Sequence, residues 1–147
     1  MLLNKRPWYL FWINKTFWVT ISPNIYYPNT VDSSKLCVSY KHLIAHENVH
    51  LKQQKNNKFI WFLKYIFSSS FRLKMEVEAM GMEAYIAEKY YGLTYASDCL
   101  LINAGNLSSH FYFWCASYSE AKNLIEQHWN YLKQNPSTED PFNGMCK

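Results

Sequence analysis

The chain has 147 residues, enough for one domain with a hydrophobic core and too few for two. An apolar fraction of 49% with 18% charged residues excludes a disordered chain, and 12 Tyr, 9 Phe and 6 Trp predict a small core built from large rings. The net charge of +4 conceals an asymmetry: residues 1–75 carry 11 Lys or Arg against two acids, whereas residues 76–147 carry four against nine. The cations are scattered rather than clustered, so no specific nucleic-acid partner is expected.

In chain order, the N-terminal third reads as β. Thr16 to Ile21 is β-branched and aromatic, Ser22-Pro23-Asn24 is a turn cluster, and Ile25-Tyr26-Tyr27 precedes Pro28. This pattern predicts a small antiparallel sheet or hairpin, with Trp8 to Ile13 as a candidate third strand. From about Ser39 to Lys55 the pattern becomes helical, uninterrupted by Pro or Gly. A short amphipathic helix is expected over Lys58 to Phe67, followed by a break and N-cap at Ser68-Ser69-Ser70. The next helix should run from about Phe71 to Tyr91 and stop at Gly92. Its apolar stripe is Leu73, Val77, Met80, Ala84, Ala87 and Tyr91. Beyond it, Ala96 to Ile102 reads as a short helix, Asn103 to Asn106 as a loop, and His110 to Trp114 as strand or helix. A last helix, capped by Ser117 or Ser119, should reach Leu132. The expected fold class is α+β: one domain over 1–147, a small N-terminal sheet packed on a helical cluster, a core from about 8 to 133, and a loose tail over 134–147.

The apolar stretches Trp8–Ile13 and Phe59–Phe67 are too short to span a bilayer, and the first lacks a small-residue cleavage site. The four cysteines include no C-x-x-C pair. A cytoplasmic protein with reduced thiols is therefore expected. The aromatic, basic segment Phe59–Phe67 would also suit a peripheral membrane contact.

Chemistry enters at His46-Glu47-Asn48-Val49-His50, an H-E-x-x-H sequence on the first long helix. Residues four apart on a helix differ by about 40° in direction and about 6 Å in rise, so both imidazoles can reach one ion. Glu47 lies about 100° from His46, where it can take a proton from a water that zinc activates. With this composition a random match is expected in roughly one chain per hundred, so the motif is specific enough to make Zn2+ the expected cofactor. His42, one turn earlier, sits about 12 Å from His50 along the axis, too far to share the ion, and is expected at the surface or behind the ligands.

A catalytic zinc needs a third protein ligand and an open position. The following helix offers Glu76, Glu78 and Glu83. Glu76 lies about 60° from the centre of the apolar stripe and Glu78 about 140°, so Glu76 is the first choice and Glu78 the alternative. Glu83 shares the side of Glu76 two turns on, and Arg72 is placed to pair with Glu76 one turn back. An oxyanion partner would be a His or Tyr from outside the metal-binding pair of faces, and His110, Tyr112, Tyr118 and Tyr85 are the candidates. Gln53, on nearly the face of His46, would orient the site or cap its cleft.

Together, His46-Glu47-Asn48-Val49-His50-Leu51-Lys52-Gln53 and Arg72-Leu73-Lys74-Met75-Glu76-Val77-Glu78-Ala79 resemble the gluzincin branch of the zincin metallopeptidases, over about residues 16–91. The small HExxH domains of that branch are the nearest in pattern. The resemblance implies an edge strand above the metal helix, Glu76 as the third ligand, and a peptide or protein substrate. Where such peptidases often carry an Asp one turn after the ligand Glu, this chain has Met80, which leaves the partner of His46 unassigned. The interval from His50 to Glu76 is also longer than the thermolysin-like spacing.

Overall fold

The computed structural model describes residues 2–8 and 16–136. Three strands and six α-helices make it a mixed α+β fold among the described residues. The hairpin forms as its sequence implies: β2 (Val19–Ile21) and β3 (Asn24–Tyr27) pair antiparallel across the two-residue Ser22-Pro23 turn. The third strand is not the expected one. It is β1 (Leu2–Lys5), which joins the other edge of β3 in parallel, giving the order β1-β3-β2. The sheet is therefore mixed rather than antiparallel. Leu2–Lys5 is too short to show a strand period, and a parallel partner must return over a long connection that local pattern cannot reveal. Trp8 is exposed, and the rest of the proposed strand, residues 9–13, lies outside the described residues, as does the tail from 137 onward.

A short 3-10 turn at Ser33–Lys35, capped by Asp32, leads into α1 (Leu36–Ser39) and then α2 (Lys41–Gln53). Asn57 caps α3 (Lys58–Phe67), its side chain accepting from the Ile60 N–H at 3.0 Å. Ser68 caps the 23-residue α4 (Ser69–Tyr91). Gly92, at φ 95°, ends that helix and opens α5 (Leu93–Leu107), a left-handed angle that glycine takes without a Cβ penalty. A 3-10 turn follows at His110–Tyr112, and Ser117 caps α6 (Tyr118–Gln134). The expected loop at 103–106 is instead helical. Asn103 and Ala104 are buried among α4 and α6, and tertiary packing outweighs the poor helix propensity of the Asn-Ala-Gly-Asn run.

The central element is α4, which packs against α2, α3, α5 and α6. Its apolar stripe meets α5 and α6, where Met80, Ala84 and Ala87 join Leu100, Leu107, Ile125 and Trp129 in the larger core. A second buried face of α4, carrying Met75, Glu76, Ala79, Glu83 and Ile86, turns toward α2. A smaller core of Tyr27, Val31, Leu36, Ile44, Ala45 and Ile86 fastens the sheet to these two helices. Close approach of α4 and α6 depends on Gly81, because a Cβ there would stand 2.5 Å from His128 Cδ2 and 3.0 Å from its Cβ. Gly81→Ala is expected to cost about 1–3 kcal/mol by overpacking. Urea unfolding would read this, and an unchanged midpoint would mean that α6 moves aside freely.

No helix is long and apolar enough to cross a membrane among the described residues. The outer face of α3 exposes Phe59, Ile60, Leu63, Ile66 and Phe67. Against the expectation of reduced thiols throughout, Cys37 is disulfide-bonded, while Cys99 and Cys115 are free.

Candidate metal centre

On α2 the four-residue spacing puts His46 and His50 on one buried face, their rings edge to face at 5.0 Å. Glu76 enters from α4. One atom from each of these three side chains lies within 4.8 Å of the others. Glu76 Oε2 is 3.7 Å from His46 Nε2, and Oε1 is 3.4 Å from His50 Nε2. Glu76 is 2% exposed, and its Oε2 has no hydrogen-bond partner. A buried carboxylate oxygen left unpaired costs several kcal/mol unless an ion or another donor satisfies it. The residues present therefore fit a divalent cation with three protein ligands. Two His nitrogens and one carboxylate oxygen are the donor set of a catalytic zinc.

The opposite nitrogens are held as well. His46 Nδ1–H donates to Glu83 Oε2 at 2.9 Å, which fills the role that Met80 left unassigned. His50 Nδ1 meets Gln53 Oε1 at 2.8 Å. The proton on that bond follows from its neighbours. Gln53 Nε2 donates to Met75 O at 3.1 Å and Glu78 Oε2 at 3.0 Å, both pure acceptors, so Oε1 faces His50 and Nδ1 must be the donor. Each imidazole thus directs Nε2 toward Glu76, as a metal ligand requires. Glu78 is accordingly outside the cluster of ligand atoms and acts one link back, through Gln53. Gln53→Leu is expected to weaken zinc affinity about 10–100-fold. Competition against a chromogenic chelator measures this, and equal affinities would remove Gln53 from the account.

Charges follow from this packing. Burial opposes a proton on His46, but the hydrogen bond and charge of Glu83, with Glu47 and Glu76, overcome it and raise the pKa to about 9. His50 is likewise depressed by burial and raised on balance, chiefly by Glu76. Burial would lift Glu76, yet His50, His46 and the Tyr65 hydroxyl keep it below its ordinary value.

Glu47 borders the same cleft, of about 300 Å³, between α2, α3 and β2. Its Oε2 accepts a 2.6 Å hydrogen bond from Thr20 Oγ1, so strand β2 sets the direction of the carboxylate. Gln54 clamps that strand to the end of α2: its Nε2 donates to Thr20 O at 3.1 Å and its Oε1 accepts from Ser22 N–H at 3.0 Å. Two tyrosines close the cleft opposite. The Tyr65 hydroxyl donates to Glu76 Oε1, and Tyr112 lines the same cleft. Burial, then the Glu76 charge, pushes both phenols well above their ordinary range, so they remain donors.

Arg72 does not pair with Glu76. Its guanidinium donates to the carbonyls of Tyr65, Ile66 and Tyr112 and to Cys115 Sγ, fastening both tyrosine-bearing segments to α4. The turn after Tyr112 places Phe113 and Trp114 at φ 55° and 49°, an expense of about 1–3 kcal/mol each that this anchoring offsets. His110 is exposed, packs on Phe111 and Trp114, and is not brought into the cleft. Tyr118 is exposed and Tyr85 packs into the two cores. Sequence reasoning missed Thr20, Gln54 and Tyr65. Only Tyr65 left a trace, at the i+4 position from buried Trp61, on which it stacks at 4.8 Å.

Comparison with protein-family models, with curated proteins and with solved structures finds no match to this chain.

Proposed function

We propose that this protein is a zinc-dependent hydrolase of the zincin type that cleaves peptide bonds. The observation that carries the reading is the convergence of His46 Nε2, His50 Nε2 and an unpaired, buried Glu76 oxygen beside Glu47 in an open cleft. Held by His46, His50 and Glu76, a zinc ion would supply Lewis acidity and lower the pKa of a water toward neutrality. Glu47, aimed by Thr20, takes the proton of the attacking water and returns it to the leaving amine. Tyr112, protonated and lining the cleft, offers its hydroxyl to the oxygen that gains charge on the attacked carbonyl, while the Tyr65 hydroxyl holds Glu76.

An extended peptide suits the strand beside the site. Gln54 engages Thr20 O and Ser22 N–H, so the even-numbered residues of β2 turn their backbone groups away from β3. The next groups on that edge, Trp18 C=O and Thr20 N–H, have the spacing that a backbone running along the cleft would take up.

The test is elemental analysis of the purified protein beside Glu76→Ala and Glu78→Ala, followed by incubation with a varied peptide library. One zinc per chain fewer in Glu76→Ala than in the wild type, an unchanged content in Glu78→Ala, and cleavage removed by chelation and restored by zinc are expected. Full occupancy with no cleavage would replace this reading with a zinc-binding protein of structural role. Absence of zinc after reconstitution would end both.

A further inference from the structure

Behind His46 lies a second group of ligand-type side chains. His42 from α2, Glu83 from α4 and Cys99 from α5 each offer one ligand atom, all within 4.8 Å of one another. His42 is 5% exposed, Glu83 5% and Cys99 9%, and the buried Nδ1 of His42 has no hydrogen-bond partner. Its Nε2 is 3.3 Å from the Tyr95 hydroxyl, and its ring sits edge-on to Tyr91 and Tyr95. A buried imidazole nitrogen left unpaired, on a side chain with a carboxylate and a thiol in reach, is poorly explained by packing alone.

We propose that His42, Glu83 and Cys99 form a second site for a borderline-soft divalent cation such as Zn2+, distinct from the His46–His50–Glu76 centre. Donor chemistry and charge both favour such an ion. Nitrogen, carboxylate oxygen and thiolate sulfur together select zinc over magnesium or calcium, which take oxygen ligands. Neutral His42, the Glu83 carboxylate and the Cys99 thiolate carry two negative charges, which cancel the ion's charge in a buried setting. Ligand atoms around tetrahedral zinc stand roughly 3.3–3.8 Å apart, so the group closes with a small contraction. A water completes the coordination, and the Tyr95 hydroxyl holds the far nitrogen, Nε2, of His42. Cys99 gives up its thiol proton to solvent as the sulfur–metal bond forms. Without the ion, burial and the Glu83 charge push that thiol up to about 12.

The consequence is structural. The ion joins α2, α4 and α5, and Glu83 serves both centres, holding His46 Nδ1 with Oε2. The inference does not need the hydrolase reading. Its test separates the two, because the first centre contains no sulfur. Titration of the full-length, metal-free protein with Co2+ is expected to load two ions per chain and to produce a near-ultraviolet thiolate-to-cobalt charge-transfer band. Cys99→Ser, nearly isosteric and so expected to fold, should bind one ion and lose the band entirely. His46→Ala should bind one ion and keep it, and Cys115→Ser should leave both ions and the band. A wild-type protein with no such band would overturn the second site while leaving the first intact. A band that survives Cys99→Ser and vanishes in Cys115→Ser would overturn it equally.

Discussion

Glu47→Gln is expected to lower peptide hydrolysis by about 10²–10⁴-fold while leaving metal content at the wild-type level. Glu47 is not among the three residues whose ligand atoms cluster, so removing its charge takes nothing from the ion. The substituted amide has the same size and its carbonyl can still accept from Thr20 Oγ1, so the 2.6 Å bond that orients the side chain persists. What disappears is the ability to take a proton. The measurement is kcat together with elemental analysis on the same preparation. Cleavage at wild-type rate by a fully loaded variant would assign the base to another group. Loss of metal together with activity would make Glu47 part of the ion's support instead.

Zinc affinity is expected to fall at least 100-fold between pH 8 and pH 6. In the metal-free protein His46 titrates at about 9, because Glu83, Glu47 and Glu76 outweigh the burial that opposes its charge. Below that value the ion must displace a proton, so apparent affinity drops about tenfold per pH unit from His46 alone, and the raised pKa of His50 steepens the slope. Above pH 9 the His46 contribution levels off. The same shift acts oppositely on the metal-free fold. Its pKa is raised above the ordinary 6.5, so protonated His46 stabilises fully below 6.5, and the benefit is lost as pH rises through about 9. Proton and metal therefore exchange the task of neutralising Glu76 and Glu83. Competition titrations at several pH values, corrected for chelator protonation, provide the check. A flat affinity over this range would mean that neither imidazole holds a proton in the metal-free protein.

How far the site could be read in advance depended on how local its determinants are. His46 and His50 belong to one helix, so their convergence follows from a spacing of four. The preference for Glu76 over Glu78 followed from helix phase, since the apolar stripe marks the face toward α5 and α6 and places Glu76 on the neighbouring face, toward α2. Arg72 was misjudged for the same reason. One-turn spacing made Glu76 its expected partner, but the carbonyls of α3 and of the Tyr112 turn are closer in space than any sequence interval indicates. His42, expected at the surface or behind the ligands, is buried, because α5 covers that end of α2 through Tyr95 and Cys99.

Periodicity, capping serines and Gly92 by themselves determined the hairpin, the order of helices α2 to α4 and the placement of H-E-x-x-H on a helix, because each is written within a few consecutive residues. The tertiary structure alone decided the parallel strand β1, the continuous α5, the Thr20 hydroxyl on Glu47, the tyrosines over Glu76 and the pairing of Glu83 with His46. Each of these joins residues from distant parts of the chain. Such contacts arise when α4 is buried on several sides at once, and no local pattern encodes which polar group will then face which.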